Sequence, residues 1–156
     1  ADKTSRILDV KYHFLLPSVE EVGSPLDFLH WTALLKSVSG YNAYRRIYGK
    51  IDPGNIVNYL VLDYYFPRSI FFCLLEAEKC LHEISQAPRG FTNKAEKAIG
   101  NLRADLEYAE INDVFNYGLH EYLDQIQGKL NQISSAIDEQ YFKIRSNFSE
   151  DFQKQS

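Results

Sequence analysis

The sequence predicts an all-α fold, a single-domain bundle of about six to seven helices that ends in a long C-terminal helix. Three observations predict it. Apolar residues recur three and four positions apart along most of the chain, the period of a helix with one buried face. Helix-start signals, a capping residue followed by proline or supported by a carboxylate three residues on, punctuate those stretches. No segment reads as a strand, an internal repeat or a low-complexity tract. The 156 residues suffice for one domain with its own core. Hydrophobic residues at 45% and charged residues at 24% give the balance of a folded chain rather than a disordered one.

The first helix is expected from about residue 2 to Leu16, with Ile7, Val10 and Phe14 on its inner face and Pro17 as its stop. A polar loop then runs through Gly23. Ser24-Pro25-Leu26-Asp27 opens a second helix: Ser24 can cap, Pro25 suits the first helical position, and Asp27 favours the positive end of the dipole. Its core stripe is Phe28, Trp31, Leu35 and Val38, and Gly40 ends it. Residues 41–49 read as a short tyrosine-rich helix closed by Gly49. Asp52-Pro53 repeats the cap-then-proline signal for a fourth helix through Leu62.

Phe66-Pro67-Arg68-Ser69 opens the fifth and most apolar helix. Ile70, Cys73, Leu74, Ala77, Cys80, Leu81 and Ile84 share one face, while Phe71, Phe72 and Leu75 make its first half apolar nearly all round, which places that half at the centre. A loop at Gln86-Ala87-Pro88-Arg89-Gly90 precedes a cap at Asn93 supported by Glu96. Helix six turns Ala95, Ile99, Leu102 and Leu106 inward. The last helix is expected from about Asn112 to Phe148, bent at Gly118 or Gly128. Its apolar seam is Leu119, Leu123, Ile126, Leu130, Ile133, Ile137, Tyr141, Ile144 and Phe148, able to pack on another helix or on a second copy of the chain through residues 119–148. The domain is thus expected over residues 1–148, with a frayed tail at 149–156.

Composition limits the function classes. A net charge of −4 argues against a general nucleic-acid binder. No apolar run approaches the ~20 residues of a membrane span. The start lacks the charged-then-apolar order of a signal peptide, so a cytoplasmic location is expected. Two helical turns between Cys73 and Cys80 put them roughly 10 Å apart along the axis, too far to form a disulfide with each other, and both read as small buried side chains. The chain begins at Ala1, has a helical pattern running by residue 7 and contains no methionine, which reads as a fragment of something longer.

No motif establishes catalysis. His13, His30, His82 and His120 lie on different helices without the i, i+3 or i, i+4 pairing of a helical metal site, so neither a metal nor another cofactor is expected. Gly-rich phosphate loops and nucleophile elbows are missing. A cluster of cations and amphipathic rings stands out instead. Arg45, Arg46 and Lys50 surround the short helix, Arg68 opens the fifth, and Tyr41, Tyr44, Tyr48, Tyr59, Tyr64 and Tyr65 lie around them. Arg45, Arg46, Arg68, Tyr64 and Tyr65 are the candidate ligand-binding residues, for an anion or a peptide. The competing account pairs Arg68 with a carboxylate such as Asp63 and has the tyrosines bridge core and solvent.

The segments Ala1-Asp2-Lys3-Thr4-Ser5-Arg6-Ile7-Leu8-Asp9-Val10-Lys11-Tyr12-His13, Trp31 to Leu35, Phe66-Pro67-Arg68-Ser69-Ile70, Gly118-Leu119-His120-Glu121-Tyr122-Leu123 and Ala136-Ile137 through Tyr141 together resemble the alpha-E domain family. That family is named for helical content and a Glu-Arg motif. Its members are typically about twice this length, in two related halves that each open with the motif, and this chain looks like the second half. The resemblance implies no established molecular activity. It implies partners, because members are commonly encoded beside, or fused to, circularly permuted ATP-grasp ligases and transglutaminase-like proteases. The expectation is therefore a bacterial accessory module that binds such a partner or its peptide. Two alternatives are an enzyme acting on peptide amides, with Arg68 and His120 in electrostatic and acid/base roles and the site shared with another half, and a self-associating scaffold.

Overall fold

Four of the helices start where the sequence offers their backbone a side-chain cap. In the computed structural model, which describes residues 1–15, 24–86 and 93–142, α1 spans Asp2–Leu15 and α2 spans Pro25–Ser37. The Ser24 hydroxyl accepts from the Asp27 N–H, with Pro25 at the first helical position. Next come α3 (Tyr41–Tyr48), closed by Gly49 at φ +74°, and α4 (Pro53–Val61), capped by Asp52 on the Asn55 N–H. The fifth helix, α5 (Ile70–Ser85), is capped by Ser69 on the Phe72 N–H, and α6 (Lys94–Glu107) by Asn93 on the Glu96 N–H. The Asn93 amide also donates to the Glu96 carboxylate and to the Tyr141 hydroxyl, tying the start of α6 to the chain's far end. The last elements are α7 (Ile111–Tyr117) and α8 (Leu119–Ile137), which continues into a π-helical turn at Asp138–Phe142.

The described residues thus hold eight α-helices and no strand, one or two more helices than the sequence suggested. The expected single helix from Asn112 breaks at Gly118, whose φ of +105° and ψ of 123° no helix can include and which favours a residue without Cβ. Gly128 sits inside α8 without interrupting it. From Leu119 to Phe142 the C-terminal segment is still 24 residues long. The described helices include none long and apolar enough to cross a membrane.

Four helices close a ring. α8 lies between α1 and α6, α6 between α8 and α5, and α5 returns to α1. The shorter α2 and α4 pack on α1, α3 packs on both, and α7 links α4 to α8. Leu8, Leu35, Ile56, Leu60, Ile70, Ile99, Leu102 and Leu123 are fully or almost fully buried where these helices meet. Each such side chain contributes about 1.5–3 kcal/mol by leaving water. The seam positions Leu119, Leu123, Ile126 and Ile133 are buried within this chain, where α8 meets α1 and α6. Ile144 and Phe148, the expected stop at Pro17, the loops at 17–23 and 87–90, and the tail at 149–156 lie outside the described residues.

Several faces differ from the reading of the sequence. In α1 the buried positions are Thr4, Ser5, Leu8 and Lys11, while Val10 is exposed and Ile7 half-buried; the side chain of Phe14 is outside the described set. In α2 the buried stripe is Asp27, Trp31, Leu34 and Leu35, and Phe28 is exposed. Asp27 takes the inner position because Lys11 waits there: their charged atoms are 2.7 Å apart, and the Lys11 ammonium lies 4.9 Å from the centre of the Trp31 ring. On α5, Ala77, Cys80 and Ile84 are exposed and Cys73 is half-buried, because the side of the helix packed on the core is the narrower stripe of Ile70, Phe71, Leu74 and Leu81.

Candidate functional site

The predicted aromatic and cationic residues divide between the inside and the outside of one structure. Inside, Tyr44 and Tyr48 of α3 stack at 4.8 Å, Tyr59 of α4 meets Tyr44 edge-on at 5.5 Å, and Phe66 stacks on Tyr59 at 4.4 Å. Tyr44 and Tyr59 are almost wholly buried. Burial pushes both phenols up, Tyr59 to about 12 with help from the charge of Asp63, so both stay neutral. The Tyr44 hydroxyl serves the backbone of the α3–α4 turn, donating towards the Lys50 and Asp52 carbonyls and accepting from the Asp52 N–H. Gly40 lets Phe66 in, since a Cβ there would lie 2.9 Å from the Phe66 ring.

Outside is the Asp63–Ser69 turn, a knuckle fixed at nearly every residue. The Asp63 carboxylate accepts from the N–H groups of Tyr65 at 2.8 Å and Phe66 at 2.7 Å. The wholly buried Ser69 hydroxyl donates to the Asp63 carbonyl while capping α5. The Thr4 hydroxyl of α1 donates to the Arg68 carbonyl at 2.8 Å, and the Arg68 guanidinium donates to the Val38 carbonyl at 2.7 Å. That last bond satisfies an orphan carbonyl at the C-terminal end of α2 and sets a cation at the negative end of its dipole. Arg68 donates to the Val38 carbonyl and forms no ion pair with Asp63, one of whose carboxylate oxygens accepts the two backbone N–H groups.

What the knuckle presents outward is Tyr64, Tyr65 and Arg68. Tyr65 is 83% exposed and Tyr64 51%, their rings edge-to-face at 5.1 Å, with Tyr64 resting 5.9 Å from Phe71. Arg68 is exposed beside them in sequence and spends one of its five N–H donors on Val38. Arg45 and Arg46 are exposed residues of α3 and form no ion pair among the described residues. The knuckle thus gathers three of the five expected ligand-binding residues and leaves the two α3 arginines apart. Neither of two surface concavities, at α6–α8 and near Lys36 and Tyr41, is lined by any of the five.

His120 occupies a different place, near the start of α8, where its Nδ1 lies 2.7 Å from a carboxylate oxygen of Asp9 on α1. Arg68 and His120 both reach α1, through Thr4 and Asp9. Those positions are about 140° apart around the helix axis, so the two do not share a face. The bond to Asp9 raises the His120 pKa, and Asp9, Glu121 and Asp124 add to this by charge. With the folded value above the ordinary ~6.5, this tie between α1 and α8 contributes fully below about pH 6.5 and is lost as pH rises through the folded value. Urea unfolding of wild type should therefore show a falling midpoint above about pH 6.5, a fall that His120→Gln reduces; equal slopes would remove His120 as the cause.

Residues 1–142 match the Alpha-E family, described as a predicted alpha-helical domain with a conserved ER motif. The chain belongs to the Alpha-E family. No Glu-Arg dipeptide occurs among the 156 residues of this Alpha-E domain. No curated protein and no solved structure matches it. Groups of three or more histidine, cysteine or acidic side chains able to hold a metal are absent among the described residues. Sequence reasoning gave no role to Thr4 or Asp9, and it offered Asp63 as a partner of Arg68 rather than as the acceptor that closes the turn. An Asp two and three positions before the N–H groups it accepts is a readable turn signal at Asp63, whereas nothing local links Asp9 to His120 across 111 residues.

Proposed function

We propose that this Alpha-E domain is a non-catalytic docking module that binds a partner protein through the Tyr64–Tyr65–Arg68 knuckle. One observation supports it above all: two exposed, mutually packed tyrosines and an arginine project from a turn that is tied to α1 through the Arg68 carbonyl, to the end of α2 through the Arg68 guanidinium, and closed on itself by the Ser69 hydroxyl. Tyrosine and arginine dominate binding hot spots, and a turn already fixed in place loses little freedom on binding. The proposed partner is a circularly permuted ATP-grasp ligase, or a transglutaminase-like protease, of the kind commonly encoded beside family members, and the proposed setting is the bacterial cytoplasm. Neighbourhood does not by itself fix function, so the knuckle carries this reading.

Calorimetric titration of the purified ligase from the same genome tests it. Tyr65→Ala should weaken binding by about 2 kcal/mol, roughly thirtyfold, without lowering the thermal midpoint. Arg68→Ala should weaken it comparably and, by freeing the Val38 carbonyl, lower the thermal midpoint as well. Wild-type affinity in both variants would rule out the knuckle, and stable dimers with no ligase binding would favour the self-assembling scaffold. The Asp9–His120 pair favours a second reading, an enzyme acting on peptide amides, because a carboxylate that orients a histidine is the arrangement a general base needs.

A further inference from the structure

We infer that the groove between α6 and α8 is a binding site for a short acidic peptide, a proposal independent of the knuckle. The groove has a volume of about 560 Å³, within the range of sites that hold a ligand of a few residues. Its rim carries Lys94, Lys97 and Lys129 against a single acid, Asp105, although the whole chain carries a net charge of −4. Leu102 and small alanines line the rest of the wall, alongside the exposed amides of Asn101 and Gln132.

Each group has a match in an acidic peptide. The ammonium groups suit carboxylates, the two side-chain amides offer the donors and acceptors that a peptide group needs, and the apolar wall suits the methylene part of a glutamate side chain. Lys129 already bonds to Asp105 at 2.7 Å, which fixes that side of the groove. Lys94 and Lys97 have no acidic partner among the described residues. Both lie in the first turn or so of α6, where a cation opposes the helix dipole, so the stability of the helix does not account for them. The lining carries neither an arginine for bidentate phosphate contacts nor an aromatic ring on which a base could stack, which favours carboxylates over phosphates and nucleic acid.

The test is fluorescence anisotropy of labelled hexaglutamate with the 1–156 chain at 0.15 M salt, with hexaglutamine and tripolyphosphate as competitors. Saturable binding is expected that hexaglutamine does not displace. The double variant Lys94→Glu/Lys97→Glu should weaken binding about tenfold or more. Lys3→Glu, a single charge reversal on an exposed position of α1, should change it less than about twofold. If the double reversal lowers the thermal midpoint, Lys94→Gln/Lys97→Gln replaces it, with weakening still expected. No saturable binding, equal loss in the Lys3 variant, or tighter binding of tripolyphosphate than of hexaglutamate would each overturn the proposal.

Discussion

Lys11→Ala is expected to lower the unfolding free energy by about 3–5 kcal/mol, a large share of the ~5–15 kcal/mol a typical domain has. The Lys11 and Asp27 side chains are only 5% and 8% exposed, their charged atoms are 2.7 Å apart, and the ammonium also faces Trp31. Truncating the lysine takes the cation away from a carboxylate that remains out of water, and it removes the packing of the aliphatic stem. The ion pair need not be a net gain over an apolar pair, however. Lys11→Met combined with Asp27→Leu is expected to recover much of that loss, because neither of these two charges is then desolvated. Urea titration of wild type, both single variants and the double variant closes the cycle. A loss below about 1 kcal/mol in Lys11→Ala would mean the pair behaves as a solvated one.

The same pair explains which part of the fold could be read from the sequence. Pattern reading asks where apolar residues recur, and it succeeded where the buried face is apolar, as in Ala95, Ile99, Leu102 and Leu106 of α6. In α1 the buried face is Thr4, Ser5, Leu8 and Lys11, three polar residues with one leucine, so the rule selected Val10 from the wrong side. In α2 it selected Phe28 over Asp27 for the same reason: Lys11, sixteen residues earlier, makes an aspartate welcome inside. Caps were legible at Ser24, Asp52 and Asn93 because a cap is a local bond, spanning three residues. The candidate site was legible as a composition, since Tyr64, Tyr65 and Arg68 are near neighbours in the chain. Its rigidity was not, because that depends on Thr4 and Val38, 64 and 30 residues away from Arg68.

Phe66→Ala is expected to cost about 3–5 kcal/mol, since the ring is buried on the Tyr59 face and fills the space that Gly40 leaves open. Tyr65→Ala, one residue earlier on the same turn, is expected to stay within about 0.5 kcal/mol of wild type, because its ring is mostly in water. The contrast separates anchor from reader. Phe66 holds the knuckle onto the aromatic column without facing a partner, so Phe66→Leu should keep much of the stability and of the partner affinity. Tyr65 adds little to the fold, so its loss should appear in binding alone. Urea unfolding of the three variants beside the ligase titration distinguishes these roles. If Phe66→Ala were tolerated within about 1 kcal/mol, the knuckle would not be held by the column. If Tyr65→Ala were the costly substitution, the ring would be packed against the protein, and its place as a contact for a partner would fall with it.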